Sequence, residues 1–172
     1  LTDLAKLKYE KLPENEFGND YDKIKYKVLD EKGSVSKDDY LIKVIVLPVN
    51  DKPRVIDNLT DKKDVDTVEF KIKENQITTA PQSIVVDDVD DKKFGYFLDT
   101  KYADYKKCNE LFTVDKSTGK IKTKVTLNYE EQSTYKCQIV VTDSNSTKGK
   151  PATKDDPGYL TDTLIAKILV ED

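Results

Sequence analysis

Apolar and polar residues alternate along most of this chain, and a period of two predicts β-strands with one buried face. No stretch shows a convincing helical period. The alternating runs fall at residues 24–28, 42–46, 68–72, 84–86, 96–98, 112–114, 121–123, 135–141 and 164–170. The chain is therefore predicted to be all-β.

The strand pattern divides the chain into an incomplete first domain and a complete second one. Residues 67–172 hold about seven short predicted strands separated by turn signals, and we expect them to pair antiparallel as a Greek-key β-sandwich. Residues 1–53 supply about three strands, too few to close a second sandwich. We expect a partial sandwich at 1–53, whose missing strands were cut away, are unobserved or come from another chain, and a complete domain at 54–172.

Composition narrows the function classes. The 172 residues are 36% charged and 37% hydrophobic with a net charge of only -4, which is not the pattern of a nucleic-acid-binding protein. The chain opens on Leu1 without a signal peptide, and no apolar run reaches membrane-spanning length. We therefore expect an internal piece of a longer protein, with no direct membrane insertion of this segment.

Catalytic chemistry finds no support in the sequence. The chain contains no His, so the common serine and cysteine triads cannot be built. No Gly-rich phosphate-binding loop is present. Paired carboxylates are abundant, as a glycosidase needs, but they fall at predicted strand ends. The prediction is that this chain is not an enzyme.

Five short motifs follow one another through the second domain at the ends of predicted strands. They are Glu74-Asn75, Asp88-Val89-Asp90, Phe112 to Asp115 with Thr118 to Ile121, Leu127 to Glu130, and Thr142-Asp143. In this order they resemble the pattern of a cadherin repeat. Residues 67–172 are identified on this resemblance as such a repeat, which implies a sandwich of cadherin/immunoglobulin-like type.

The first domain resembles a related but different repeat. Residues 7–53 end in the sequence Val-Asn-Asp-Lys-Pro at 49–53. This ending is similar to that of the tandem cadherin-like repeats of large surface adhesins, which close with Val-Asn-Asp-x-Pro. The resemblance covers only the C-terminal half of such a repeat.

The resemblance to cadherins implies calcium between successive repeats. Carried over by position, a first site at the junction consists of Asn50, Asp51, Asp88, Asp90 and Asp143. A second site, which needs the next domain, consists of Glu74, Glu130 and Asp172. The chemistry is consistent, because calcium takes about six to eight oxygen ligands and no single loop here offers that many.

The connector at 49–53 departs from the cadherin pattern. Pro48 and Lys52 stand where stronger linkers carry oxygen ligands, and Lys52 adds a positive charge. The resemblance therefore implies one or two ions rather than three. Asp is also common in turns, so a purely structural role for Asp88 and Asp90 stays open at this point.

Two cysteines and two glycosylation sequons give information on whether the chain is secreted. Cys137 alternates inward, as a buried free thiol would, whereas Cys108 falls in a polar loop where an exposed thiol is disfavoured outside the cell. A Cys108–Cys137 disulfide is the alternative to two free thiols. The acceptors Asn58 and Asn145 begin Asn-x-Ser/Thr sequons, each weak support for secretion.

We predict an extracellular calcium-binding repeat segment of a large surface or adhesive protein, acting in cell adhesion or as a structural spacer. Its expected location is the cell surface, in the ectodomain of a membrane-anchored protein. Its expected partners are neighbouring repeats of the same or an identical protein, and other surface or filament proteins. A glycan- or protein-recognising sandwich, or a subunit of an extracellular filament, is the alternative.

Overall fold

The computed structural model describes residues 13, 16–57, 65–143 and 159–172. The chain forms two compact units, unit 1 (Leu1–Val49) and unit 2 (Asn50–Asp172). The predicted glycosylation acceptors Asn58 and Asn145 lie outside the described residues. None of the helices in the described part is long and apolar enough to cross a bilayer.

Within its described residues, unit 1 contains one pair of antiparallel strands, β1 (Gly18–Tyr26) and β2 (Tyr40–Val46). The rings of Tyr26 and Tyr40 stack across the pair with centroids 5.5 Å apart. None of the described residues of unit 1 is buried, because two strands alone lack a second layer that would cover their apolar face. The assignment of residues 1–53 as half of a repeat therefore stays a prediction.

Unit 2 contains nine strands and one helix within the described residues. They are β3 (Arg54–Ile56), β4 (Thr67–Lys73), β5 (Thr79–Ser83), β6 (Val85–Asp87), β7 (Phe94–Leu98), α1 (Tyr105–Leu111), β8 (Phe112–Val114), β9 (Lys120–Thr123), β10 (Thr134–Asp143) and β11 (Thr161–Glu171). One sheet runs in the order β4–β11–β10–β7 and another in the order β5–β9–β8, while β3 pairs with β6.

Within the described residues, one hydrophobic core lies between the two larger sheets, and inward-facing side chains of the alternating strands fill it. The three-stranded sheet and its connections contribute Ala80, Phe112 and Ile121. Burying one side chain as large as that of Phe70 stabilises the fold by about 2–3 kcal/mol relative to exposure. The four-stranded sheet contributes Val68, Phe70, Ile72, Tyr96, Cys137, Ile139, Val141, Leu164, Ala166, Ile168 and Val170. The predicted all-β sandwich is confirmed.

The second predicted strand of this domain, at residues 84–86, corresponds to β6, and the adjoining strand β5 was missed. Strand β5 pairs with β9, whereas β6 pairs with β3, so the chain changes sheets at the buried residue Ile84. Strand β3 was missed by the sequence pattern, because Val55 and Ile56 are adjacent apolar residues and show no alternation. Strands β3 and β6 adjoin the residues predicted for the first site, since β3 follows the connector and β6 precedes Asp88.

Strand direction also differs from the prediction in one place. Strand β4 pairs with β11 in parallel register, whereas the alternation was interpreted as a wholly antiparallel sandwich. Parallel and antiparallel strands show the same side-chain period, so direction leaves no local mark in the sequence.

The expectation of no helix is wrong for α1, because two turns offer too few positions for a 3.6-residue period to stand out. Cys108, expected in an exposed loop, lies buried on this helix. It forms a disulfide with Cys137 of β10, with a Cα–Cα distance of 5.7 Å and a sequence separation of 29. On the loop-entropy argument, a bridge of this span stabilises the fold by about 3–4 kcal/mol.

Candidate metal site

The sheet topology of unit 2 brings the predicted ligands of the first site to one end of the sandwich. Strand β3 is antiparallel to β6, with Arg54 opposite Asp87. The connector residues that precede β3 therefore lie beside the turn that follows β6, which carries Asp88 and Asp90. Asp143 is the last residue of β10.

Hydrogen bonds join the connector to two of these carboxylates. The side-chain Nδ2 of Asn50 donates to Oδ2 of Asp143 over 2.5 Å. The backbone N–H of Asp51 donates to Oδ2 of Asp90 over 2.8 Å. Four of the five residues predicted for the first site are thus in direct contact as pairs.

Asp88 organises the turn after β6 and carries the most informative atom of the site. Its side chain is only 5% exposed. Its Oδ1 accepts hydrogen bonds from the backbone N–H groups of Asp90 and Asp91, at 2.8 and 3.0 Å. Its Oδ2 is buried and finds no hydrogen-bond donor among the described residues. A buried carboxylate oxygen without a donor is costly, and a bound cation is one of the few partners that satisfies it.

Asp143 is fully buried at the end of its strand. The backbone N–H of Leu160 lies 3.2 Å from each of its carboxylate oxygens. Burial raises the pKa of Asp143, and the neighbouring negative charges of Asp88 and Asp90 raise it further, against the lowering effect of the bonds from Asn50 and Leu160. The carboxylates of Asp88 and Asp90 therefore lie close enough to repel the negative charge of Asp143.

These residues fit a hard divalent cation by their chemistry. Four carboxylates and one amide supply oxygen ligands of the kind that calcium prefers, and Asp88 contributes an oxygen without a donor. Among the described residues, no three acidic, Cys or His side chains are already grouped closely enough to hold a metal ion. In this arrangement the amide protons of Asn50 and Asp51 occupy two of the carboxylate oxygens.

Asp162 is a residue of this region that the sequence analysis missed. Its Oδ1 lies 2.9 Å from Nζ of Lys52, and its Oδ2 accepts the backbone N–H of Val55 over 3.0 Å. The positive charge of Lys52, expected to weaken the metal site, is thus paired with this carboxylate. The alternation carried the signal, because Asp162 continues the inward positions of β11 just as Asp143 continues those of β10.

The second predicted set lies at the opposite end of unit 2. Parallel strands β4 and β11 end together, so the backbone N–H of Glu74 donates to the carbonyl of Glu171 over 3.0 Å. Oε2 of Glu74 accepts the backbone N–H of Tyr129 over 2.9 Å, beside the exposed residue Glu130. Asp172 follows β11 and is exposed. The fold brings these three residues to one end without enclosing them.

A family model described as "Cadherin domain" matches residues 68–161, which is more than half of the chain. No curated protein sequence matches the chain. Many solved structures do match, and the three described below share less than 25% identity with this chain, which shows the fold alone.

Three solved structures illustrate the likeness. The protocadherin gammaB7 EC3-6 cis-dimer aligns with 87% of this chain, at 15% identity and a TM-score of 0.57. Human CDH23 EC21-23 also aligns with 87% of the chain, at 20% identity and a TM-score of 0.55. Protocadherin gamma B2 domains 3-6 align with 78% of the chain, at 14% identity and a TM-score of 0.55. The chain covers 32%, 43% and 28% of these structures, respectively.

Proposed function

Because this chain belongs to the cadherin domain family, as the match over residues 68–161 shows, we propose that it is a calcium-binding extracellular repeat segment of a large adhesive or surface protein. The segment acts in cell adhesion or as a structural spacer, with calcium as its cofactor. Neighbouring repeats of the same or an identical protein are its proposed partners. The alternative of a glycan- or protein-recognising module stays a prediction.

One observation carries the calcium proposal: Oδ2 of Asp88 is buried without a donor next to two further carboxylates. In the turn before β9, Asp115 accepts its local N–H bonds through Oδ1 alone, but it is exposed, so water can satisfy its other oxygen. Asp88 uses only one oxygen in this way. Its second oxygen is buried instead and has no donor among the described residues, so a bound cation would satisfy it.

The residues of the site fall into a buried group and a more exposed group. Asp88 and Asp143 are buried and supply fixed negative charge, while Asp90 and the connector residues Asn50 and Asp51 are more exposed and can adjust. Calcium, when bound, supplies the positive charge that offsets the repulsion among the carboxylates. Its affinity in extracellular modules is about 10⁻⁴–10⁻³ M, so the site responds to extracellular rather than cytosolic calcium.

The test is a calcium titration of the full chain, read by calorimetry and by limited cleavage with a protease that cuts before Asp residues. We expect millimolar calcium to protect the bond between Asn50 and Asp51. Asp88→Asn keeps one oxygen for the turn but replaces the donor-free oxygen by an amide, so it should abolish the calcium effect without unfolding unit 2.

Asp104→Asn is the matched control, because Asp104 is exposed and its side chain makes no cap hydrogen bond to α1. This variant should respond to calcium like the wild type. Equal cleavage of the wild-type connector with calcium and with chelator would contradict the proposed function.

A further inference from the structure

The carboxylate of Asp162 holds both the connector and strand β3, which follows it. It pairs with Nζ of Lys52 at 2.9 Å through one oxygen and accepts the backbone N–H of Val55 at 3.0 Å through the other. The Asp162 side chain is only 14% exposed, whereas that of Lys52 is 55% exposed. A bond to a charged group in such a shielded position is stronger than an exposed ion pair.

The two contacts bracket Pro53, which is itself buried. Proline has a fixed backbone φ and donates no hydrogen bond, so the segment between Lys52 and Val55 has little freedom left. Because this segment is held in place, the backbone of the residues that precede it is also restricted. Those residues are Asn50 and Asp51, which contact Asp143 and Asp90.

Asp162 is placed for this task by strand β11. It lies opposite Val141 of β10, two residues before Asp143. The residue before β11, Leu160, donates its N–H to the Asp143 carboxylate. The start of β11 thus orients the predicted ligand Asp143. It also anchors the connector, which carries the predicted ligands Asn50 and Asp51.

We infer that Asp162 is a positioning residue of the metal site, which keeps Asn50 and Asp51 on the carboxylates through Lys52 and Val55. The inference rests on the proposed calcium function for its purpose. Its physical content, an anchored connector, is independent of any ion. Lys52 is then part of the anchor, and its ammonium group is held by Asp162 instead of competing with calcium.

The test is hydrogen exchange of the full chain in chelator, read at the backbone amide of Asp51. That N–H bonds to Asp90 and makes no contact with Asp162, so a purely local role of Asp162 leaves it unchanged. Asp162→Ala removes both contacts, and we expect exchange at Asp51 to accelerate about tenfold, the effect of losing a bond to a charged group.

Two variants at Lys52 keep the test informative if Asp162→Ala unfolds. Lys52→Gln removes the ion pair from the exposed side and should accelerate exchange at Asp51 by a smaller factor. Lys52→Arg retains the ion pair and should restore the wild-type rate. Glu69→Gln is the control, because it breaks another ion pair of β11, with Lys167 at 2.6 Å, without touching the connector.

Calcium affinity separates this inference from the proposed function. If the wild type binds calcium, Asp162→Ala and Lys52→Gln should weaken binding while Lys52→Arg should not. Unchanged exchange at Asp51 in both Asp162→Ala and Lys52→Gln overturns the inference, whatever calcium does. If the wild type does not bind calcium but the variants show the predicted changes in exchange at Asp51, the calcium function is overturned and the anchoring role of Asp162 is supported.

Discussion

The side-chain amide of Asn50 donates a hydrogen bond to the buried carboxylate of Asp143, which lies 93 residues further along the chain. The contact joins the connector to the end of β10 inside unit 2. It also places the only neutral side chain of the predicted first site against its most buried carboxylate.

Asn50→Asp should therefore make stability depend on calcium. In chelator the new carboxylate loses the amide bond and adds a like charge beside Asp143, so we expect a loss of about 1–3 kcal/mol in the free energy of unfolding. Millimolar calcium should offset most of this loss, because the carboxylate adds an oxygen ligand. Thermal melts with and without calcium measure both effects.

Asn50→Ala is the companion variant for that experiment. It removes the amide bond but brings no oxygen, so calcium should not restore its stability. Equal losses with and without calcium in Asn50→Asp would show that no ion binds at this contact.

The turn at Asp115 predicts that folding stability depends on pH, independently of any metal ion. Hydrogen bonds from Thr118 and Ser117 lower the pKa of Asp115 from 3.8 to about 2. A depressed folded-state pKa contributes stability that is fully present above 3.8 and is lost as the pH falls through about 2. The difference in melting temperature between the wild type and Asp115→Asn, measured across this range, should therefore shrink toward low pH. A constant difference would contradict this origin of the shift.

The disulfide between Cys108 and Cys137 should contribute measurably to the stability of unit 2. Replacing both residues by Ala should lower the free energy of unfolding by about 3–4 kcal/mol, from loop entropy alone. Urea unfolding of the oxidised wild type and the double variant measures the difference. Alkylation of the denatured, unreduced chain provides the check, because two labelled thiols would show that the bridge is absent.

Gly119 should not tolerate a side chain. Its φ is +66°, and an added Cβ would lie 2.9 Å from Cε1 of Tyr96 and 3.2 Å from Cβ of Ile84. We expect Gly119→Ala to cost about 1–3 kcal/mol, from backbone strain and overpacking together. Gly18→Ala is the control, because nothing lies within 4 Å of a Cβ at that position. Equal unfolding curves for the two variants would contradict the argument.

Local alternation predicted most of the strands, because side-chain burial repeats every two residues in any sheet. It could not predict β3, where the apolar residues Val55 and Ile56 are adjacent, nor the change of sheet at Ile84. The motif order predicted which acidic residues belong together, and the structure brings four of the five junction residues into paired contact. Their role as calcium ligands stays a proposal.

The sequence by itself determined that Asp143 and Asp162 lie on the inward side of their strands, since each continues an apolar alternation. Only the tertiary structure decided what those carboxylates meet: Asn50 and Leu160 for Asp143, Lys52 and Val55 for Asp162. The physical reason is that side-chain direction is set within one strand, by its own period. Partners are set by which strand ends the folded sheets bring together, across as many as 110 residues of chain.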